Sequence, residues 1–536
     1  MRIQHWLLGI GSVVAAVFTV APIFWVRYIP AHDYPFHLAR IAILSMGEKS
    51  ALFGTYYHFG SWLLPNMAMD AVALPLTFVM SPEMAGKLFL ALTQLAFLGG
   101  CLTLHAVAFK RWSAWPLLSG LLFYNGIFLF GFFNYLFAAA FALWGAALWL
   151  WSRPGWGRRC VAFGVAVVLM WGHMGGFAVY AILVGSFQLH THLVGVSREK
   201  WPVALRELVL DAAPFIASMA LFLLVSPVSE RAGDGLTYSP WLGAKPYAAL
   251  FSLQSGVLWA DVMVLLGLVA LILTLFLTRQ LVVNRLLLTA AAMLWLAFVV
   301  LPPDMLGSSF ADVRIVPLAA MVTLIALGTV KTPTRWAEAL VLTLALSLGL
   351  VKTAALVRGW QSDQLVIESV VNAMKKIPSG STLFAATAAL EPSMVLTNPG
   401  AREAWHPPLK HIGSYASVFG DVFVPMTFAD RHKQPMVVVD KYLPIKEFHG
   451  DNPFKVYQPS DLVALAKRIT EQTHLPGAPA LGDVFLLVVG TDLYPTLPTL
   501  AGYSVFLADD SFVIFQATSP ALPGAVTPAI GVPHGG

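Results

Sequence analysis

The sequence predicts an α-helical polytopic membrane protein of about 11–12 spans, followed by a soluble α/β domain. Three observations carry that prediction. Mean hydropathy is +0.73, and 58% of the 536 residues are hydrophobic. Only 11% are charged, and the basic residues fall in short clusters between apolar runs of spanning length. From about Gly359 onward, helix-period segments alternate with short β-rich runs. The net charge of +5 is therefore a topology signal rather than a nucleic-acid one. The two cysteines, Cys101 and Cys160, lie in or beside spans and far apart. They exclude a disulfide framework and a cysteine zinc site.

The first span covers Trp6 to Val26, and no small-residue cleavage site follows it, so it reads as an uncleaved helix. A polar, aromatic loop comes next (27–66), ending in Tyr56-Tyr57-His58-Phe59 and Trp62. These rings suit a membrane interface, which predicts short amphipathic helices on the bilayer surface. The apolar stretch Met67 to Met80 contains Asp70 and reads either as a short span or as a re-entrant piece. Further spans are predicted over Ala85–Phe109, Ala114–Phe130 and Phe132–Trp151. Cys160 to His192 is too long for one span, and Gly172-His173-Met174-Gly175-Gly176 divides it into two helices. Pro202–Val225, Val257–Leu277, Leu286–Leu301, Ile315–Val330 and Trp336–Val357 complete the set.

Polar loops at 226–254 and 302–314 separate some of these spans. The first carries Glu230, Arg231, Asp234, Tyr238 and Trp241. The basic clusters at Lys110-Arg111, Arg153–Arg159, Arg198–Arg206, Arg279–Arg285 and Lys331–Arg335 assign one face to the cytoplasm. With 67–80 not crossing, the chain closes as N-in, C-out with 11 spans. If it crosses, the parity shifts and Lys110-Arg111 falls outside; under either choice the three polar loops and the C-terminal region share one face. The organisation expected is a transmembrane domain over 1–358, a C-terminal periplasmic α/β domain over 359–518, and a disordered Pro/Gly/Ala-rich tail over 519–536. In the α/β domain, strands are expected at Thr382–Ala385, Met436–Val439 and Val484–Val489. A hairpin turning at Asp509-Asp510 and a helix capped by Ser460 are expected as well.

The chemistry concentrates in Ala31-His32-Asp33-Tyr34-Pro35-Phe36-His37-Leu38-Ala39-Arg40, directly after the first span. Pro35 favours the start of a helix, which sets His37 and Arg40 three positions apart on one face. Asp33 falls at or just before the cap. A carboxylate that takes a proton beside cations that hold a phosphate is suited to group transfer. The plainer alternative is that Asp33 caps an interfacial helix while Arg40 snorkels. His173 sits at a helix break at membrane depth, where it either satisfies broken-helix carbonyls or meets substrate. In the loop Ala311-Asp312-Val313-Arg314, Asp312 can pair with Arg314, and Arg314 can anchor the span that it opens. The His406–His411 cluster has no metal spacing and reads as loop.

This layout resembles the GT-C superfamily of membrane glycosyltransferases, such as the protein O-mannosyltransferases and the lipid A aminoarabinose transferases. The resemblance rests on Asp33 after the first span and the following helix with Arg40. The Pro75 segment leading to Pro82-Glu83, the Gly172–Gly176 break and the Ala311–Arg314 loop extend it. It implies that Asp33 is the general base that deprotonates an acceptor hydroxyl. The leaving group would be a lipid phosphate. Arg40 and Arg314 are the best placed to stabilise it, because a guanidinium meets phosphate bidentately and keeps its charge. His37 could orient Asp33, bind phosphate or join a metal site with His32; His173 and Asp312 are further substrate-contact candidates. The family's usual acidic pair is missing, since His32 precedes Asp33. No metal is assigned on that ground, although a divalent ion stays compatible.

The resemblance implies a multi-pass protein of the bacterial inner membrane. It would move a sugar from a polyprenyl-phosphate donor to an envelope glycan, lipid or protein acceptor, with inversion and no nucleic-acid partner. Two other classes compete. A lipid-linked glycan transporter would favour internal repeats and charges in mid-membrane, and the acids here cluster in loops instead. A catalytically silent scaffold of a polysaccharide assembly complex would tolerate a neutral isostere at Asp33.

Overall fold

The computed structural model describes residues 2–194, 197–226, 245–305, 309–388, 409–450, 457–473, 479–491 and 496–518. The residues singled out at 230–241, His406 and the tail from 519 lie outside them. The chain forms two compact units. The first comprises Met1–Ile29, Ser61–Ser362 and His432–Pro435; the second comprises Pro30–Gly60, Asp363–Arg431 and Met436–Gly536.

Among the described residues, six helices are long and apolar enough to cross a membrane. They are Trp6–Trp25, Pro82–Phe109, Phe133–Trp151, Trp201–Val225, Leu258–Leu277 and Arg335–Met374. Helix Pro82–Phe109 begins where Ser81 accepts a hydrogen bond from the Met84 amide, with Pro82 pre-set for the first turn. It packs closely on Phe133–Trp151, where Gly99 and Gly100 leave room for Trp144 and Leu143. The Trp144 indole donates to the Ala96 carbonyl at 2.9 Å. The expected break at 172–176 is present: helices Trp156–Gly172 and Met174–Leu193 meet at His173.

Several expectations about the first unit need correction. Ala114–Phe130 is not one span but a 3-10 helix, Trp115–Leu122, and a short helix, Gly126–Phe130. Pro116 lacks an amide proton, and Asn125 stops the first element by capping the second through the Ile127 and Phe128 amides. The stretch Met67–Met80 holds only a nine-residue helix, Ala68–Leu76. At 1.5 Å per residue it reaches about 14 Å, half of a hydrocarbon core, so it does not cross. The span expected to run to Val330 ends as helix Ile315–Ile325. Strand Leu327–Thr329 then pairs antiparallel with Leu281–Val283. The final span and the first helix of the C-terminal region are one 40-residue helix, Arg335–Met374. A helical glycine costs only about 1 kcal/mol, and neither a proline nor a cap follows Gly359 to stop it.

The second unit is α/β. Its four-stranded sheet runs in the order Thr382–Thr387, Val484–Val489, Phe512–Ala517, Tyr503–Asp509. The first pair is parallel and the other two are antiparallel. Helix Pro459–Thr473 precedes the central strand, whose run Val-Phe-Leu-Leu-Val-Val is buried almost throughout. That helix starts at Pro459, so Ser460 is not its cap. Asp461 instead accepts from the Gln458 amide at 3.1 Å. The hairpin at Asp509-Asp510 forms as expected.

Two segments behave differently from expectation. Strand Met436–Val438 leaves the main sheet and pairs antiparallel with Tyr57–Phe59. The tyrosines read as membrane-interface residues belong to a protein core: Tyr57 is fully buried and donates to the Val424 carbonyl at 2.8 Å. Tyr56 stacks on Phe423 with centroids 4.2 Å apart. Ile43, Leu52, Tyr56 and Tyr57 share one hydrophobic cluster with Phe384, Phe423, Leu486 and Phe515. The sequence signal for interfacial aromatics cannot tell a bilayer from an apolar protein core, because both accept the ring and need the hydroxyl satisfied.

Candidate functional site

Two side-chain clusters contain the residues expected to carry chemistry, one in each unit. In the second unit, helix Tyr34–Met46 opens with Pro35 in its first turn, as predicted. Asp33 occupies the N-cap position, yet its side chain makes no capping hydrogen bond. Its carboxylate faces His411 instead, with Oδ1 3.6 Å from Nε2. The His411 ring lies against Phe36 (centroids 3.9 Å) and against His32 (4.4 Å, 21° between planes). Lys410 is buried as well. Burial pushes its ammonium down to about 7, against the attraction of Asp33. The capping alternative thus accounts for the backbone of Asp33 but not for its carboxylate.

His37 and Arg40 meet one helical turn apart. Arg40 is wholly buried and donates through Nη2 to His37 Nδ1 at 3.2 Å. A guanidinium is always a donor, so a neutral His37 carries its proton on Nε2. The edge of His37 meets Phe428, with centroids 5.3 Å apart. Snorkelling requires an exposed head group, and Arg40 has none.

In the first unit, His173 and Arg314 come together. The Gly175 amide donates to His173 Nδ1 at 2.9 Å, which makes the imidazole the N-cap of helix Met174–Leu193. With Nδ1 accepting, the ring proton of neutral His173 must sit on Nε2. Arg314 Nη1 lies 3.3 Å from that same Nε2. The contact is therefore between two donors, and two converging donors call for a shared acceptor such as an anionic oxygen. The Arg314 guanidinium lies 3.9 Å over the Phe132 ring, and its Nη2 donates to the Ser309 carbonyl at 2.8 Å. Tyr135 donates to the Arg314 carbonyl at 2.8 Å. The positive end of the helix dipole adds to this field.

Asp312 is buried but does not pair with Arg314. Its Oδ2 lies 3.2 Å from Lys245 Nζ, which also donates to the Phe298 and Leu301 carbonyls. Burial raises the Asp312 carboxyl, and Lys245 opposes the rise. Asp70 is wholly buried in helix Ala68–Leu76.

The chain has a polytopic helical fold with an α/β second unit, and solved structures share it. Among the solved structures that resemble it are two of ArnT from Cupriavidus metallidurans. The form bound to undecaprenyl phosphate matches with a TM-score of 0.53 at 11% identity, covering 97% of this chain and 100% of that one. The apo form matches with a TM-score of 0.50 at 11% identity, covering 96% and 98%. At that identity the likeness is one of fold. No family model matches the chain, and neither does any curated protein.

Sequence reasoning missed His411 and Lys410, which it placed in an inert loop, and Lys245. Each reaches its partner across more than 65 residues of sequence, and no local spacing records such a contact. The Tyr135 hydroxyl, which no local spacing marks, holds the Arg314 backbone.

Proposed function

We propose that this protein is a membrane glycosyltransferase that moves a sugar from a polyprenyl-phosphate donor to a cell-envelope acceptor, with Asp33 as general base. The observation that carries the proposal is the pair of donors at Arg314 and His173, which fits a phosphate oxygen at a helix N-terminus. The occurrence of this fold in a protein that binds undecaprenyl phosphate supports it. In the reaction, Asp33 accepts the proton of the acceptor hydroxyl as its oxygen attacks the anomeric carbon. The bond from that carbon to the phosphate oxygen breaks, and the lipid phosphate leaves with the electron pair. Attack opposite the leaving group inverts the centre. In the first unit, Arg314 and the His173 Nε2–H are the candidates to stabilise the charge that develops on the phosphate; in the second, the candidates are Arg40 and His37. The carboxylate of Asp312 would hold Lys245 beneath the loop that carries Arg314.

The reading requires the first loop, residues 302–314 and the C-terminal region to face the periplasm of a bacterial inner membrane. The test is a glycan and glycolipid mass profile of cells lacking the protein, rescued with wild type or Asp33→Asn at matched abundance. A positioned base is worth about 10²–10⁴-fold in rate. Wild type should restore a missing sugar that Asp33→Asn does not. Full rescue by Asp33→Asn would sink general-base catalysis here and move the silent scaffold ahead.

A further inference from the structure

The two donors of the first unit face each other, and a contact between N–H groups is repulsive. Arg314 Nη1 and His173 Nε2 nevertheless stand 3.3 Å apart, so the elements that carry them must be held together. Arg314 rests on the start of helix Phe133–Trp151: its guanidinium covers the Phe132 ring, and its carbonyl accepts from Tyr135. His173 follows the end of helix Trp156–Gly172. A buried amide, Asn134, connects the two supports. We propose that Asn134 is a positioning residue for the phosphate site, acting through the backbone of residues 66–69 to fix the spacing of Arg314 and His173.

The connection can be followed bond by bond. Asn134 is 2% exposed. Its Oδ1 accepts from the Met69 amide at 2.6 Å. Its Nδ2 donates to the carbonyl and to the Oδ1 of Asn66, at 2.7 and 2.8 Å. The Asn66 and Met67 amides then donate to the Trp171 carbonyl, each at 3.2 Å, two residues before His173. The Trp171 indole donates to the Trp62 carbonyl at 2.7 Å, which fastens the end of the first loop to the same helix end. Helix Ala68–Leu76 has no side-chain cap at its own N-cap residue. The Met69 amide is one of its orphan donors, and a side chain from another helix satisfies it. Asn66 has a φ of +99°, a conformation that residues with a Cβ seldom adopt. Such a backbone persists where its surroundings over-determine it, and the contacts to Asn134 and Trp171 do so.

The chemistry makes the amide hard to replace. Aspartate has the same shape and still accepts from Met69, but it turns the Nδ2 donor into an oxygen that faces two oxygens of Asn66. One atom thus reverses two of the three bonds. The inference rests on the reading of Arg314 and His173 as a phosphate site.

The experiment measures equilibrium binding of farnesyl phosphate, and of farnesol as the same chain without the phosphate, to the purified full-length protein in detergent. Wild type should bind the phosphate more tightly than the alcohol. Asn134→Asp should lose about 10–100-fold of that preference, the worth of a hydrogen bond to a charged group, with farnesol binding unchanged. Equal weakening of both ligands would mean a merely structural role and would overturn the proposal. In an Arg314→Gln background, Asn134→Asp should cost little further, because it acts through that guanidinium; a full additional loss would overturn the proposal as well. Should Asn134→Asp fail to fold, Asn66→Gly decides. Glycine takes the same φ without strain and removes one contact, so a smaller drop in phosphate preference supports the role and an unchanged preference overturns it. The two readings fail separately. Wild type that binds phosphate and alcohol alike would sink the phosphate site, and this inference with it. Wild type that prefers the phosphate, with the preference kept in Asn134→Asp, would sink the positioning role alone.

Discussion

At the scale of single residues, His173 does two jobs that substitution can separate. Asparagine is a good N-cap but carries no donor at the distance of Nε2. His173→Asn should leave the thermal midpoint of the purified protein nearly unchanged. A hydrogen bond to a charged group is worth about 1.5–3 kcal/mol, so the donor KM should rise about 10–100-fold. An equal loss of stability and activity would mean that the imidazole only caps. Lys410 offers a pH test. Its ammonium is displaced from the usual 10.5 to about 7 by burial, so the unfolded chain binds the extra proton between those values and stability rises with pH across that window. Lys410→Met removes the penalty. The variant's gain in unfolding midpoint should be largest at and below pH 7 and should fade toward pH 10, as followed by thermal unfolding at a series of pH values. Asp33, Arg40 and Arg314 were legible as candidates because charge is rare in this chain and theirs lies beside span ends. His411 was not, since a contact that links positions 33 and 411 leaves no mark on either neighbourhood.

At the scale of elements, the glycine-rich break shows how much one motif encodes. Its division into two helices could be read from spacing, but the separate role of each glycine could not. A Cβ on Gly176 would overlap the backbone and side chain of Ala138 in the neighbouring helix, whereas one on Gly172 would meet Ala68 and Ala138 at ordinary distances of 3.7 and 3.9 Å. Gly176→Ala should therefore pry helix Met174–Leu193 from Phe133–Trp151 and lower the thermal midpoint and the yield of folded protein. Gly172→Ala should be neutral or stabilise by up to about 1 kcal/mol. Comparing the two midpoints in detergent checks the pair. The sheet strands were readable for the same local reason, being short apolar runs between turns. The fate of Met436–Val438 was not, because alternation specifies a strand but not its partner.

At the scale of the whole molecule, hydropathy and the positive-inside pattern identified the class of fold, and they failed where length was ambiguous. Helix Ala68–Leu76 is too short to cross; with the broken stretch Trp115–Phe130 counted as one crossing, the first loop and the C-terminal region should emerge on one side. A cysteine in place of exposed Lys49 should react with a membrane-impermeant maleimide in intact spheroplasts, while native Cys160 should react only after lysis. Labelling of Cys160 in intact cells would reverse the topology. The pairing of Tyr57–Phe59 with Met436–Val438 also has a bearing on biogenesis. The partner of a strand made near the start of translation emerges roughly 380 residues later, about 20–80 s at ordinary rates of elongation. Until then the segment that carries Asp33 has no core to fold against. A ribosome that stalls early would leave a membrane stub with that carboxylate present but unhoused, so an incomplete chain should be inert as well as unstable.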